Sequence, residues 1–361
     1  MLYLLLYPFR DVIPAFNVFR YITFRTAYAI ITALVISFLV GPWLIAELRR
    51  RQIGQTIRED GPRSHFSKAG TPTMGGLLIL IALTLPTLLW ADLTNRYIWL
   101  MLFSTLGFGA IGFLDDYLKI SRHNSKGLRA PYKLGAMVIV GLMVALVLYF
   151  QDGGFAIATR VTIPFFKRVL PDLGWFYIPF VMLVIIGSSN AVNLTDGLDG
   201  LAIGPVIIAT VSYLIIAYAV GHSGFAEYLN LPFIGGAGEL AVFAGSVIGA
   251  SLGFLWFNAY PAQMFMGDVG ALSLGAALGT MAVITKHELL LVVIGGIFVI
   301  EAVSVIVQVV SFQTTGRRVF RMAPIHHHFE QKGWEENKVV IRFWIVAILL
   351  ALLSLSTLKL R

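Results

Sequence analysis

The residues able to do chemistry fall in four short stretches of this 361-residue chain. GFLDDYLK carries Asp115 and Asp116, and NAVNLTDGLDGLAIG carries Asn190, Asn193, Asp196 and Asp199. NAYPAQMFMGDVG carries Asn258 and Asp268, and RMAPIHHHFE carries His326, His327 and His328. Five carboxylates brought to one place repel one another, so something positive must offset them. A hard divalent cation fits, because Mg2+ takes one or two carboxylates, keeps waters and bridges to substrate phosphates. Lys68, Lys119 and Lys133 border the acidic stretches and can hold phosphates as point charges. Acids for Mg2+ with lysines alongside suit phosphoryl transfer, which is mainly positioning and charge neutralisation. Zinc on the histidines is a weaker reading, since it asks for three protein ligands in fixed geometry.

Each stretch also has a plainer reading. Asp115 can pair with Lys119 one helical turn on. Asp199 and Asp268 can serve as helix N-caps. If the helix through Asn193 continues, Asn193 and Asp196 share a side, as do Asp196 and Asp199. A calcium loop starting at Asp196 fails, because its twelfth position is Ile207 rather than Glu. GTPTMGG lacks the lysine of a phosphate-binding loop. GGAGEL, at 235–240, follows no strand and is discounted as a nucleotide fingerprint.

The elements that must position these groups are transmembrane helices. The chain is 58% hydrophobic and only 13% charged, against about 25% charged in a soluble domain. Spans of about 20 apolar residues are expected at 25–47, 74–91, 97–115, 134–150, 174–192, 200–220, 238–257, 269–285, 289–312 and 340–358. Strands fail on length and lack of alternation, and backbone satisfaction in lipid also favours helices, so the fold class is all-α and polytopic, one integral-membrane domain over 1–361. Cysteine is absent, which excludes disulfides and thiolate metal sites. The opening MLYLLLYPFRDVIPAF lacks the charge order of a signal peptide and reads as a short interfacial segment.

Charge sets the sides. The loop at 48–73 carries Arg49, Arg50, Arg51, Arg58, Arg63 and Lys68. The loops at 116–133 and 313–339 are similarly basic, while the alternate connections are poor in Lys and Arg. The positive-inside rule then makes the basic set cytoplasmic and both termini periplasmic. Every acidic and histidine stretch falls on the cytoplasmic face. The net charge of +8 accords with basic cytoplasmic loops, anionic lipid or a phosphorylated substrate. Glu301 stands apart, mid-span in FVIEAVSVIVQ. It is expected to bond to a neighbouring helix or stay protonated; the rival is a proton path, which would favour an ion-coupled transporter.

With these motifs in order, the chain resembles the polyprenyl-phosphate N-acetylhexosamine-1-phosphate transferase superfamily, and within it the phospho-N-acetylmuramoyl-pentapeptide transferase branch. The resemblance rests on GTPTMGG at 70–76, DD at 115–116, NAVNLTDGLDGLA at 190–202, FMGDVG at 265–270 and MAPIHHHFE at 322–330. The last stretch separates this branch from relatives acting on UDP-GlcNAc. The resemblance implies transfer of phospho-MurNAc-pentapeptide from UDP-MurNAc-pentapeptide to undecaprenyl phosphate, giving lipid I and UMP. It implies Mg2+, a ten-helix enzyme of the bacterial inner membrane, a homodimer and no nucleic-acid partner. It also implies site roles: Asp268 as Mg2+ ligand, with Asp115 and Asp116 serving the metal or the lipid phosphate. Asn190, Asn193, Asp196, Asp199, Asn258 and Phe265 would line the uridine and diphosphate site. Gln308, Ala323, His326 and His327 would contact the sugar-phosphate and uridine region, and Lys68, Lys119 and Lys133 would border it. Direct in-line attack by the lipid phosphate is the expected route; its rival is a two-step route through Asp116 or Asp268 as nucleophile.

Overall fold

A computed structural model describes residues 1–51, 53, 70–122, 127–150, 159–164, 166 and 169–359. The order is α1 (Leu2–Leu6), α2 (Ile22–Arg50), α3 (Gly76–Trp90), α4 (Arg96–Ser121), α5 (Ala130–Tyr149), α6 (Tyr177–Thr195) and α7 (Ile203–Gly221). There follow α8 (Ser223–Leu229), α9 (Leu240–Asn258), α10 (Gly267–Ile284), α11 (Leu291–Ile294), α12 (Gly296–Thr315), α13 (Ile325–Gln331) and α14 (Glu336–Ser356). No strand occurs among the described residues, only an isolated bridge between Arg160 and Asp172.

Nine of these helices are long and apolar enough to cross a membrane, and the chain is a multi-pass membrane protein. The tenth expected span is α3, whose 15 residues cover about 22 Å, short of a bilayer core of about 30 Å. Its start is taken by other bonds. Gly75 N–H donates to Phe265 O and Gly76 N–H to Met266 O, both at 2.8 Å. The chain before α3 is thereby tied to the segment entering α10.

α9 and α10 form the centre and are buried along nearly their whole length. Their sequences, LAVFAGSVIGASLGFLWFN and GDVGALSLGAALGTMAVI, are rich in Gly, Ala and Ser. Small residues let helix backbones approach closely where lipid offers no hydrophobic drive for association. Ser188 Oγ donates to Gly275 O at 2.7 Å and Ser189 Oγ to Leu272 O at 3.0 Å, fastening α6 to α10. Ser104 and Thr280 hydroxyls meet at 2.8 Å between α4 and α10. The outer helices expose apolar side chains such as Leu39, Leu183 and Leu352, a surface suited to lipid.

The two ends of the bundle differ. At one end Arg25 forms a bidentate pair with Glu239 at 2.6 and 2.5 Å, both residues buried. The GGAGEL stretch therefore serves as a helix anchor. The N-terminal ammonium donates to Leu88 O there, and Lys359 Nζ to Tyr228 O, so both termini lie at that end. Lys286, whose pKa burial pulls down to about 8, donates to Tyr177 Oη at 2.6 Å, and that hydroxyl donates to Glu288 at 2.8 Å. The acidic stretches gather at the opposite end.

Candidate active site

The site is built where the end of α4, the start of α5, the end of α6 and the start of α10 meet. Asp115 and Asp116 are buried in the last turns of α4. Being adjacent, they diverge by about 100° around the helix. Asp115 faces α5: its Oδ1 accepts from Leu128 N at 2.8 Å and its Oδ2 lies 3.6 Å from Lys133 Nζ. Asp116 faces α10, where its Oδ2 accepts from Val269 N at 3.2 Å.

Asp268 completes the group from the first turn of α10. Its Oδ1 accepts from Asn193 Nδ2 at 3.0 Å, and its Oδ2 pairs with Lys133 and lies 3.2 Å from Lys119 Nζ. A carboxylate there also meets the positive end of the helix dipole. The expected N-cap role is corrected: Met266 holds the cap position and Asp268 lies inside the helix. Two backbone features permit the convergence. At Gly112 the α4 backbone touches the Asp268 carbonyl so closely that a Cβ would overlap it. At Gly267 φ is +70°, a conformation favouring glycine, and a Cβ would stand 2.5 Å from Asp116 Oδ2.

Lys119 Nζ is shared by Asp115 at 2.6 Å, Asp116 at 3.3 Å and Asp268 at 3.2 Å. Three carboxylates against two ammonium groups leave one net negative charge. One oxygen from each of Asp115, Asp116 and Asp268 lies within 4.8 Å of the others, so the group can hold a metal ion. An all-oxygen donor set selects a hard divalent cation rather than a thiophilic or imidazole-seeking one.

The remaining acids part company. α6 ends at Thr195, so the helical register expected for Asn193, Asp196 and Asp199 is not realised. Asp196 stays beside the three-acid group. Burial pushes its pKa up to about 7, and the negative charges of Asp268, Asp116 and Asp199 add to that. Asp199 turns the other way: its Oδ2 accepts from Ala262 N at 3.0 Å, while its own N–H donates to Glu336 Oε1 at 2.8 Å. It does not cap α7, whose cap position is Ala202.

Asn258 is buried and spends its amide on backbone, accepting from Gly200 N at 3.0 Å and donating to Met264 O at 2.9 Å. It thus joins the Asp199 turn to the loop before α10. Phe265 is partly exposed there, its N–H on Pro72 O. Asn190 is exposed on α6. Gln308 clamps the loop after α12, accepting from Val319 N and Phe320 N and donating to Phe320 O. Ala323 lies just before α13, which carries the histidines. His326 is buried, with Nδ1 3.1 Å from Glu301 Oε2. His327 is partly exposed, with Nδ1 2.7 Å from Glu330 Oε2. Lys68 lies outside the described residues.

Sequence reasoning missed Glu336, Gly112 and Gly267. Glu336 reads as an ordinary acid opening a helix, and only the two glycines' places beside DD and GD offered a signal.

A family profile described as glycosyl transferase family 4 matches residues 98–286, the stretch holding all five acids. A phospho-N-acetylmuramoyl-pentapeptide-transferase signature matches residues 68–80, across the loop that ties α3 to α10. Phospho-N-acetylmuramoyl-pentapeptide-transferases from Syntrophus aciditrophicus, Citrifermentans bemidjiense and Desulfatibacillum aliphaticivorans are 58%, 57% and 60% identical, each over 100% of both chains. The chain belongs to the phospho-N-acetylmuramoyl-pentapeptide transferase family. It is an enzyme, a transferase. The DD, DGLDG and MGD acids quoted for the resemblance thus lie around one site, and the triple histidine packs against its edge through α13.

Proposed function

We propose that the enzyme transfers phospho-MurNAc-pentapeptide from UDP-MurNAc-pentapeptide to undecaprenyl phosphate. UMP is released and lipid I is formed, a membrane step of peptidoglycan synthesis. The observation that carries this reading is the convergence of Asp115, Asp116 and Asp268 with Lys119 and Lys133 at one end of a membrane bundle. Both reactants bear phosphate, so they repel each other and the acids, and a site joining them must supply positive charge. The acceptor's prenyl tail calls for a site at the edge of a bilayer. By the basic loops, that end faces the cytoplasm of a bacterial inner membrane.

Asp268, with Asp115 and Asp116, would hold Mg2+. When bound, Mg2+ neutralises phosphate charge and stabilises the departing UMP oxygen. Lys119 and Lys133 keep the carboxylates close together and offer ammonium groups to the incoming phosphates. Asn193 fixes the orientation of Asp268 by its amide bond to Oδ1. In the direct route the lipid phosphate oxygen bonds to the β-phosphorus as the bond to the UMP oxygen breaks. A phosphate monoester is already largely ionised near neutral pH, its second pKa being about 6, so little base catalysis is needed. Both oxygens of Asp116 and of Asp268 are engaged by lysines, Asn193 or backbone, which favours charge-holding over nucleophilic attack.

The test is UMP release by the purified enzyme in detergent, with undecaprenyl phosphate and Mg2+, offered UDP-MurNAc-pentapeptide or UDP-GlcNAc. Preferential, acceptor-dependent release from the first supports the proposal. Preference for UDP-GlcNAc contradicts the substrate, no release from either contradicts the activity, and a phospho-sugar enzyme trapped without acceptor contradicts the direct route.

A further inference from the structure

Glu301 is fully buried in the second turn of α12, inside a membrane-spanning helix, where an ionisable group is costly. Its carboxylate faces His326 Nδ1, 3.1 Å away, and His326 is itself only 1% exposed. The other ring nitrogen points at the acidic loop: a Cβ on Gly197 would overlap His326 Nε2. Gly197 stands between Asp196, beside the three-acid group, and Asp199, which braces the loop before α10. A line of contacts therefore runs from a membrane-buried acid, through one imidazole, to the turn that holds both aspartates. Neither ring nitrogen of His326 and neither Glu301 carboxylate oxygen makes a hydrogen bond of ordinary geometry with any described residue, so the two groups meet as a close contact of 3.1 Å. Buried polar atoms in that condition are rare and ask for a role.

We propose that Glu301 is a positioning residue for the nucleotide-binding loop. The carboxylate, 3.1 Å from Nδ1, draws the ring's proton to that nitrogen, and this orients the ring and leaves Nε2 set against the Gly197 turn. The turn is thereby held in the shape that receives the uridine end of the nucleotide substrate. Carboxylate partners of functional histidines act this way elsewhere, fixing tautomer and ring orientation. The proposal rests on the functional reading above, since it names which part of the substrate the turn serves. It also divides the histidines. His326 works from within, while the partly exposed His327 is the one presented to ligand.

The test uses the full-length enzyme in detergent with Glu301→Met, Glu301→Gln, Gly197→Ala and the double variant Glu301→Met/Gly197→Ala. Affinity for UMP is read by calorimetry, turnover by UMP release, and the His326 ring by 15N resonances of labelled histidine. In the wild type the His326 resonances are expected to show a proton on Nδ1. Glu301→Met should shift them and weaken UMP binding about tenfold or more, the usual scale for losing such a partner. Glu301→Gln keeps an acceptor oxygen and should lie closer to wild type. Gly197→Ala should disturb the same resonances, and the double variant should lose less than the product of the single losses, because both act through one ring. Wild-type UMP affinity in Glu301→Met, or single losses that simply multiply, would overturn the proposal. Should Glu301→Met not fold, unchanged His326 resonances and UMP affinity in Gly197→Ala overturn it equally. Absence of UMP binding by the wild type would be a failure of the functional reading, recognisable because the resonance shift in Glu301→Met still reports whether Glu301 holds the ring.

Discussion

Lys119 Nζ lies 2.6 Å from Asp115 Oδ2, one helical turn earlier on α4. This is the pair that a surface reading of the sequence makes an ordinary helical ion pair, yet Asp115 is buried and the same ammonium also serves Asp116 and Asp268. Removing one partner of a buried pair strands the other at about 3–5 kcal/mol, less where the lost group is partly exposed, as Lys119 is. Lys119→Met should therefore unfold at lower temperature than wild type in chelator. Added Mg2+ should recover more of the loss in the variant than it adds to the wild type, because the variant has more unmatched negative charge. Equal stabilisation of both by Mg2+ would contradict the account.

Gly112 sets how near α4 comes to α10. A Cβ there meets the Asp268 carbonyl backbone, which cannot swing aside as a side chain can. Overpacking of this kind costs about 1–3 kcal/mol. Gly112→Ala should lower the unfolding temperature moderately and lower kcat strongly, since the Asp115, Asp116 and Asp268 oxygens are moved apart. Normal kcat with a lowered unfolding temperature would show that their spacing tolerates the shift.

Asp196 carries the pH prediction. Its folded pKa, near 7, stands above its ordinary value of 3.8. Between those values the folded chain binds more protons at this position than the unfolded chain does, so stability falls as pH rises through the window. In metal-free buffer, unfolding temperatures of wild type and Asp196→Asn compared from pH 4.5 to pH 8 should show the wild type losing ground to the variant up to about pH 7 and levelling beyond. A wild type that gains on the variant over that range has the opposite sign.

His327, unlike His326, is partly exposed, with Nδ1 facing Glu330. His327→Ala should raise KM for the nucleotide substrate while leaving the unfolding temperature close to wild type. KM and kcat both unchanged would remove this histidine from the substrate site.

Much of this architecture was legible in the sequence, and for a physical reason. A span must be long and apolar to cross lipid, so α2, α4–α7, α9, α10, α12 and α14 announce themselves. The side-by-side placement of the acids also followed, because alternating helices and basic loops assign each acid to the same end. Partner choice did not follow. Whether Asp196 and Asp199 share a face depends on where α6 stops; Gly197, just past the cap at Asp196, is a stop signal that the helical reading of this stretch passed over. Gln308 reads as a polar group near a site, but its amide is spent on the backbone of Val319 and Phe320. α3 reads as a full span because its flanking residues are apolar, while its first amides are bonded to Phe265 and Met266 instead. The Arg25–Glu239 pair joins residues 214 apart, a separation at which no spacing rule operates.

The central claim is that Asp115, Asp116 and Asp268 hold the divalent ion that phosphoryl transfer needs. The most direct measurement is anomalous diffraction from crystals of the enzyme soaked in Mn2+, with Asp268→Asn crystals as control. The account predicts a peak within coordination distance of an Asp268 oxygen and of Asp115 or Asp116, absent in the control, whose Mg2+-dependent turnover is lost. A peak ligated by other residues, or an Asp268→Asn enzyme with near-normal Mg2+-dependent turnover, would contradict it.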